Sequence, residues 1–99
     1  MSISTSWPDR NSRSAELYER ARAVLPGGIS RLQTLVHPFP IYAGRGEGAI
    51  IIDVDGTRRL DMMNNFASLI HGHARAEVID AATVAARNGS CFAMPTEAE

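Results

Sequence analysis

Arg31 follows Pro26-Gly27-Gly28-Ile29-Ser30 with no acidic neighbour, so its guanidinium is free to hold a carboxylate in a two-pronged fork. A plain surface arginine is the competing reading. Asn64-Asn65-Phe66 sets an aromatic ring beside amide groups, the make-up of a pocket edge, although a core phenylalanine explains Phe66 equally well. His71 and His73 alternate about Gly72 and point the same way if the segment is extended. With His37 distant and no cysteine or carboxylate nearby, a metal set is incomplete, and a histidine hydrogen-bonded to backbone near the Gly72 turn is the expectation. Cys91 is expected to be a small buried residue, since nothing in the sequence orients it toward His73 as a nucleophile toward a base.

Two glycine-containing runs suggest ligand loops, and in each case the residues after the run argue against one. Gly44-Arg45-Gly46-Glu47-Gly48 runs into Ile50-Ile51-Ile52, a strand instead of the helix N-terminus that a phosphate cradle needs, so it reads as a glycine-rich strand connection. Asp53-Val54-Asp55-Gly56 lacks the later ligands and closing glutamate of a calcium loop and reads as a hairpin turn. The chain contains no lysine, because all ten of its basic residues are arginine. Chemistry that needs an amine side chain, such as a Schiff base to an aldehyde cofactor, is therefore not completed within it.

The bulk composition narrows the class further. At 99 residues there is room for one modest core. The formal net charge is -1 and the arginines are scattered, so no basic stripe points to nucleic acid. The single cysteine excludes an internal disulfide framework and suits a reducing compartment, so a cytoplasmic location is expected. No run approaches the roughly 20 apolar residues that span a bilayer, and the N-terminus lacks a signal-peptide core. No membrane association is expected.

The elements that must position these residues follow from period and punctuation. Residues 1–13 are polar and serine-rich and read as a flexible N-terminal arm, with Trp7-Pro8 as an anchor that packs. From Ser14, the spacing of Leu17, Ala21, Val24 and Leu25 predicts a helix of about three turns, capped by Ser12 or Ser14 and ended by Pro26-Gly27-Gly28. Ile29 to Pro40 is a loop with extended pieces, and a candidate substrate loop. Strands are predicted at Ile41–Ala43 and Ala49–Val54, the latter turning at Asp55-Gly56 into a partner at Arg58–Met63. A short helical turn is expected over residues 66–70. The spacing of Val78, Ile79, Ala82, Ala85 and Ala86 predicts a helix from Ala76 to Asn88. Pro95-Thr96-Glu97-Ala98-Glu99 has the capping-box arrangement that begins another helix, so the chain reads as ending where a helix starts.

Four pieces in order, LYERARAVLPGGISR, GRGEGAIIIDVDGTRRLDMM, LIHGHARAEVIDAA and PTEAE, resemble the N-terminal region of class III aminotransferases. These are fold-type I pyridoxal-phosphate enzymes, and the resemblance lies toward their glutamate-1-semialdehyde aminomutase-like branch and covers Ser14 to Glu99. It implies an α+β fold: helix, short antiparallel hairpin sheet and helix, forming the N-terminal segment of the small domain over residues 14–99 and incomplete without the large domain. It also implies a homodimer, with pyridoxal 5'-phosphate as cofactor of the complete enzyme. The phosphate-binding turn, the aspartate facing the pyridine nitrogen and the Schiff-base lysine would all lie downstream, so no catalytic, cofactor-binding or metal-binding residue is assigned here.

Within that resemblance Phe66 falls where an aromatic residue lines the substrate pocket, and Asn64-Asn65 replaces a small Gly-Ser pair. The aminomutase pattern after Pro-Gly-Gly continues Val-Asn-Ser-Pro-Val-Arg, whereas this chain reads Ile29-Ser30-Arg31-Leu32-Gln33-Thr34. Its Ser-Arg is that of transaminases of the same branch, including those acting on β-amino acids, where such an arginine can face the substrate carboxylate. The substrate-binding residues so implied are Arg31, Phe66 and Asn65. The partners implied are a small-molecule amino donor and a keto acid. The expected function is that of an N-terminal fragment of a transaminase, inactive alone. The alternatives are a fragment of the aminomutase and a non-catalytic binding or assembly module.

Overall fold

The computed structural model describes residues 7–97. Helix α1 spans Arg13–Arg22 and is capped at Ser12, whose side chain accepts from the Ala15 N–H, satisfying one of the four donors a helix start leaves open. Glu16 lies in its first turn and Arg20 and Arg22 in its last, each on the side that complements the helix dipole. The helix stops earlier than its apolar spacing predicts. Val24 and Leu25 fall beyond its end and are exposed, because Pro26 supplies no N–H to continue the ladder. Pro26–Gly28 then form a single 3₁₀ turn, and Leu32–Thr34 a second within the following loop.

Three antiparallel strands follow in a meander: β1 (Ala43–Glu47), β2 (Ile50–Asp53) and β3 (Arg58–Leu60), in the order β1-β2-β3. The glycine-rich run is therefore strand β1 itself, and only Ala43 of the predicted Ile41–Ala43 strand belongs to it. Glycine has little strand preference of its own; the run is extended because the β-branched Ile50–Ile52 offers a ladder to pair with, Glu47 opposite Ile50 and Arg45 opposite Ile52. The register shifts between Ala43 and Arg45, leaving Gly44 as the extra residue of a bulge. The Asp53–Thr57 turn joins β2 to β3 as the sequence predicts. Asp53, 4 % exposed, accepts from the Asp55 and Thr57 N–H groups at 3.1 and 2.8 Å on one oxygen, and its other oxygen pairs with Arg59 at 2.9 Å.

Ser14 ties the helix to the sheet. Its hydroxyl donates to Asp55 at 3.0 Å and accepts from the Tyr42 N–H at 3.2 Å, and the residue is buried. Ala15 and Phe39 are the buried apolar residues beside it. Trp7 packs edge-on against Phe39 with ring centroids 6.1 Å apart and donates its indole N–H to the Phe39 carbonyl, as an anchoring tryptophan should. Helix α2 spans Ala76–Ala86, shorter by two residues than predicted. Among the described residues no other element packs on it, and Val78, Ile79 and Val84 are exposed. The expected helix start at Thr96 lies partly outside the described residues.

Candidate functional site

The run from Gly46 to His73 closes on itself. Gly48 and His73 form an antiparallel bridge, with the Gly48 N–H donating to the His73 carbonyl at 3.0 Å and the His73 N–H to the Gly48 carbonyl at 2.8 Å. Both ends of the closure depend on glycine. A Cβ on Gly46 would stand 2.5–2.7 Å from the Cβ, Cγ and Nδ1 atoms of His73, so only glycine lets the histidine lie across β1. Gly72 has φ +76°, and a Cβ there would sit 2.9 Å from the Gly48 carbonyl oxygen.

Inside this closure stands a carboxylate that local spacing did not reveal. Asp61 Oδ2 lies 2.6 Å from His73 Nε2, so the histidine does have an acidic partner, twelve residues earlier and just beyond β3. The expectation of a ring bonded to backbone is corrected: the His73 main chain takes the backbone bonds and the ring takes Asp61. The other oxygen, Oδ1, accepts from the N–H groups of Met63 and Asn64 at 2.9 and 2.8 Å. These contacts hold the Asp61 carboxyl below its ordinary value, the Asn64 N–H acting most strongly and the His73 ring next, against the opposing effect of burial. An ionised carboxylate only accepts, so Nε2 is the donor.

The turn that Asp61 caps is left-handed. Asn64, Asn65, Phe66 and Ala67 have φ of 50°, 47°, 57° and 63°, so the short helical turn expected over residues 66–70 begins two residues earlier and with left-handed backbone. For L-residues this conformation costs about 1–2 kcal/mol per residue, and asparagine alone among these types visits it readily. Asn64 and Asn65 therefore suit their places, while Phe66 and Ala67 are held in strain. Hydrogen bonds from Ala67 N–H to the Met63 carbonyl and from Ser68 and Leu69 N–H to the Asn64 carbonyl close the turn, at 3.1–3.2 Å. Ser68 Oγ accepts from the Asn65 amide and donates to the Asn65 carbonyl, both at 2.8 Å.

The sequence-predicted residues are distributed unevenly about this turn. Phe66 is 59 % exposed, so it is not a core phenylalanine in this chain. Asn65 is exposed, and its amide donor is engaged by Ser68. Arg31 is exposed at the head of the Leu32–Thr34 turn and has no ion-pair partner among the described residues. It makes no hydrogen bond to the Asn64–Ala67 turn. An open hollow of about 460 Å³ flanks the turn, lined by Ile41, Ala43, Ile51, Leu60, Met62 and Met63 among others, and none of Arg31, Asn65 and Phe66 reaches it. Cys91 is exposed, which corrects its expected burial. His71 is exposed as well.

The cofactor implied by the resemblance does not fit the residues present. No lysine exists to bind an aldehyde, and the glycine-rich run lies in β1 and not at a helix N-terminus. The segment can shape and line a site; it does not carry the reacting amine.

Comparisons with known proteins agree with this architecture. The sequence model of the class III aminotransferase family matches residues 32–99. The glutamate-1-semialdehyde 2,1-aminomutase of Chloroflexus aurantiacus is 42 % identical over 94 residues, covering 92 % of this chain and 21 % of that protein. Among solved structures, an omega-transaminase from Sphaerobacter thermophilus superposes with a TM-score of 0.82 at 48 % identity, over 93 % of this chain and 21 % of its own. A beta-phenylalanine aminotransferase from Variovorax paradoxus does so with 0.75 at 32 %, over 89 % and 20 %. A further neighbour is a transaminase with PLP bound. The chain spans about a fifth of the length of the curated relatives it matches. The helix, three-stranded antiparallel sheet and closed loop thus match the corresponding part of fold-type I pyridoxal-phosphate transferases, and the chain belongs to the class III aminotransferase family.

Proposed function

We propose that this chain is the N-terminal segment of a pyridoxal-phosphate-dependent transaminase that moves an amino group between an amino acid or amine and a keto acid. The reacting lysine and the cofactor's holders lie in the remainder of that enzyme, and the complete enzyme is a homodimer. In this reading Arg31 grips the carboxylate of the donor, and Phe66 with Asn65 walls the pocket.

The observation that carries the reading is the left-handed turn. A strained segment that holds a phenyl ring away from the chain's own core is the kind of departure that gathers at functional sites. Ser30-Arg31 in place of the aminomutase pattern, together with the higher identity to the omega-transaminase, favours transamination. The aminomutase similarity supports a second reading, intramolecular amino transfer within glutamate-1-semialdehyde.

The complete enzyme encoded with this chain, supplied with an amino donor and a keto acid, is expected to show transfer and pyridoxal-phosphate absorbance. Isomerisation of glutamate-1-semialdehyde without intermolecular transfer would establish the second reading instead. Arg31→Ala is expected to raise KM for a carboxylate-bearing donor by roughly tenfold or more, the loss of a charge-assisted pair, and to leave a carboxylate-free amine unaffected. Equal effects on both donors would remove Arg31 from the site.

A further inference from the structure

Four consecutive left-handed residues, two of them without an asparagine side chain to favour the conformation, persist only where surrounding contacts over-determine them. The contacts that do so converge on one pair. Asp61 grips the start of the turn through the Met63 and Asn64 N–H groups. His73 is fastened to the sheet by two backbone bonds with Gly48, and its ring lies against Gly46. The bond of 2.6 Å between Asp61 Oδ2 and His73 Nε2 joins these two halves, and the side chains are only 8 % and 24 % exposed. Water therefore competes poorly for it, and a charge-assisted bond so placed is strong.

We propose that Asp61 and His73 are positioning residues: their bond is a clasp that keeps the Asn64–Ala67 turn left-handed and thereby sets how Phe66 and Asn65 meet the amino donor. The substrate half of this proposal rests on the transaminase reading above. Without the Nε2–H the Asp61 carboxylate is free to rotate away from the turn, and Phe66 and Ala67 relax toward right-handed backbone. Neither clasp residue touches substrate in this arrangement.

The test compares three forms of the complete holoenzyme: native, His73→Phe, which keeps a flat ring over Gly46 but has no donor, and His73→Gln, which restores one. Hydrogen exchange at the amides of Ala67, Ser68 and Leu69 reads the turn, and steady-state kinetics reads the pocket. His73→Phe is expected to lose protection at these amides and to raise KM for the amino donor by roughly tenfold to a hundredfold, the worth of a hydrogen bond to a charged group, with kcat little changed. His73→Gln is expected to recover both. If His73→Phe does not fold, His73→Ala supplies the same two readouts, since it removes the donor without crowding Gly46. Unchanged protection in the donor-less variant overturns the clasp. Lost protection with unchanged KM overturns its role in positioning. A native holoenzyme that transfers no amino group overturns the transaminase reading and the substrate half with it, while the exchange comparison still decides the clasp.

Discussion

Gly46 is where one missing methyl group decides the geometry of the site. Because a Cβ there would overlap the Cβ, Cγ and Nδ1 atoms of His73, Gly46→Ala must push the histidine off β1 and away from Asp61. The expected cost is about 1–3 kcal/mol, the range for forcing an extra carbon into a close contact. Amide exchange at Gly48 and His73 measures it as easier local opening; unchanged protection at both would contradict the prediction. At this scale the sequence was partly legible. Asn64-Asn65 carries a signal of left-handed backbone in its residue types, which the expectation of a helical turn over residues 66–70 did not use. The Asp61–His73 pair was not legible, because a bond between residues twelve apart depends on the chain reversing through a turn whose handedness no local spacing specifies. Phe66 was equally undetermined, since a phenyl ring suits a core and a pocket wall alike until its neighbours are placed.

At the scale of elements, helix α1 was legible from its Ser12 cap and apolar spacing, but its second cap comes from the hairpin turn. Asp55 accepts from the Arg13 N–H at 2.6 Å and from the Ser14 N–H at 3.2 Å, forty-odd residues away in the chain. Burial opposes ionisation of Asp55, and the hydrogen bonds from Arg13 and Ser14 outweigh it, leaving its carboxyl below the ordinary aspartate value of 3.8. The Asp61 carboxyl is lowered in the same direction. A carboxyl depressed on folding stabilises the fold in full above its unfolded value, and that contribution is lost as pH falls through the folded value. Acidification below about pH 4 is therefore expected to fray the start of α1 and loosen the Asn64–Ala67 turn. Circular dichroism with amide exchange at Arg13, Ser14 and Asn64 follows it, and Asp55→Asn should reduce the acid dependence at α1 to that of the exposed Arg13–Glu16 pair and leave that of the turn unchanged. Protection at those amides that stays independent of pH down to about 2 would refute this linkage. Strand β1 shows the reverse relation between propensity and outcome, since its glycines disfavour a strand and the adjoining isoleucines impose one.

Across the whole molecule the arrangement is open. The radius of gyration is 16.6 Å, against about 13 Å for a compact domain of 100 residues. Among the described residues Ala15, Phe39 and Pro40 are the buried apolar side chains, while Leu60, Met62, Ile70 and Val84 are mostly exposed. So little burial offsets chain entropy poorly. The 99-residue chain alone is expected to melt over a broad range without a sharp transition and to bind a hydrophobic dye. A cooperative transition at about 45–65 °C, as ordinary domains show, would contradict this. No described helix is long and apolar enough to cross a membrane. The sequence by itself determined most of the elements, the turn at Asp55-Gly56 and the absence of a reacting amine, because propensity, punctuation and residue type are local properties, and its four motifs in order carried the resemblance to the family. Only the tertiary structure decided that the glycine-rich run also pairs with the isoleucines, that Asp55 caps a distant helix, and that Asp61 meets His73 beside a left-handed turn. Each of these is a contact that the propensities of its residues do not specify, and its energy exists only once the backbone has brought them together.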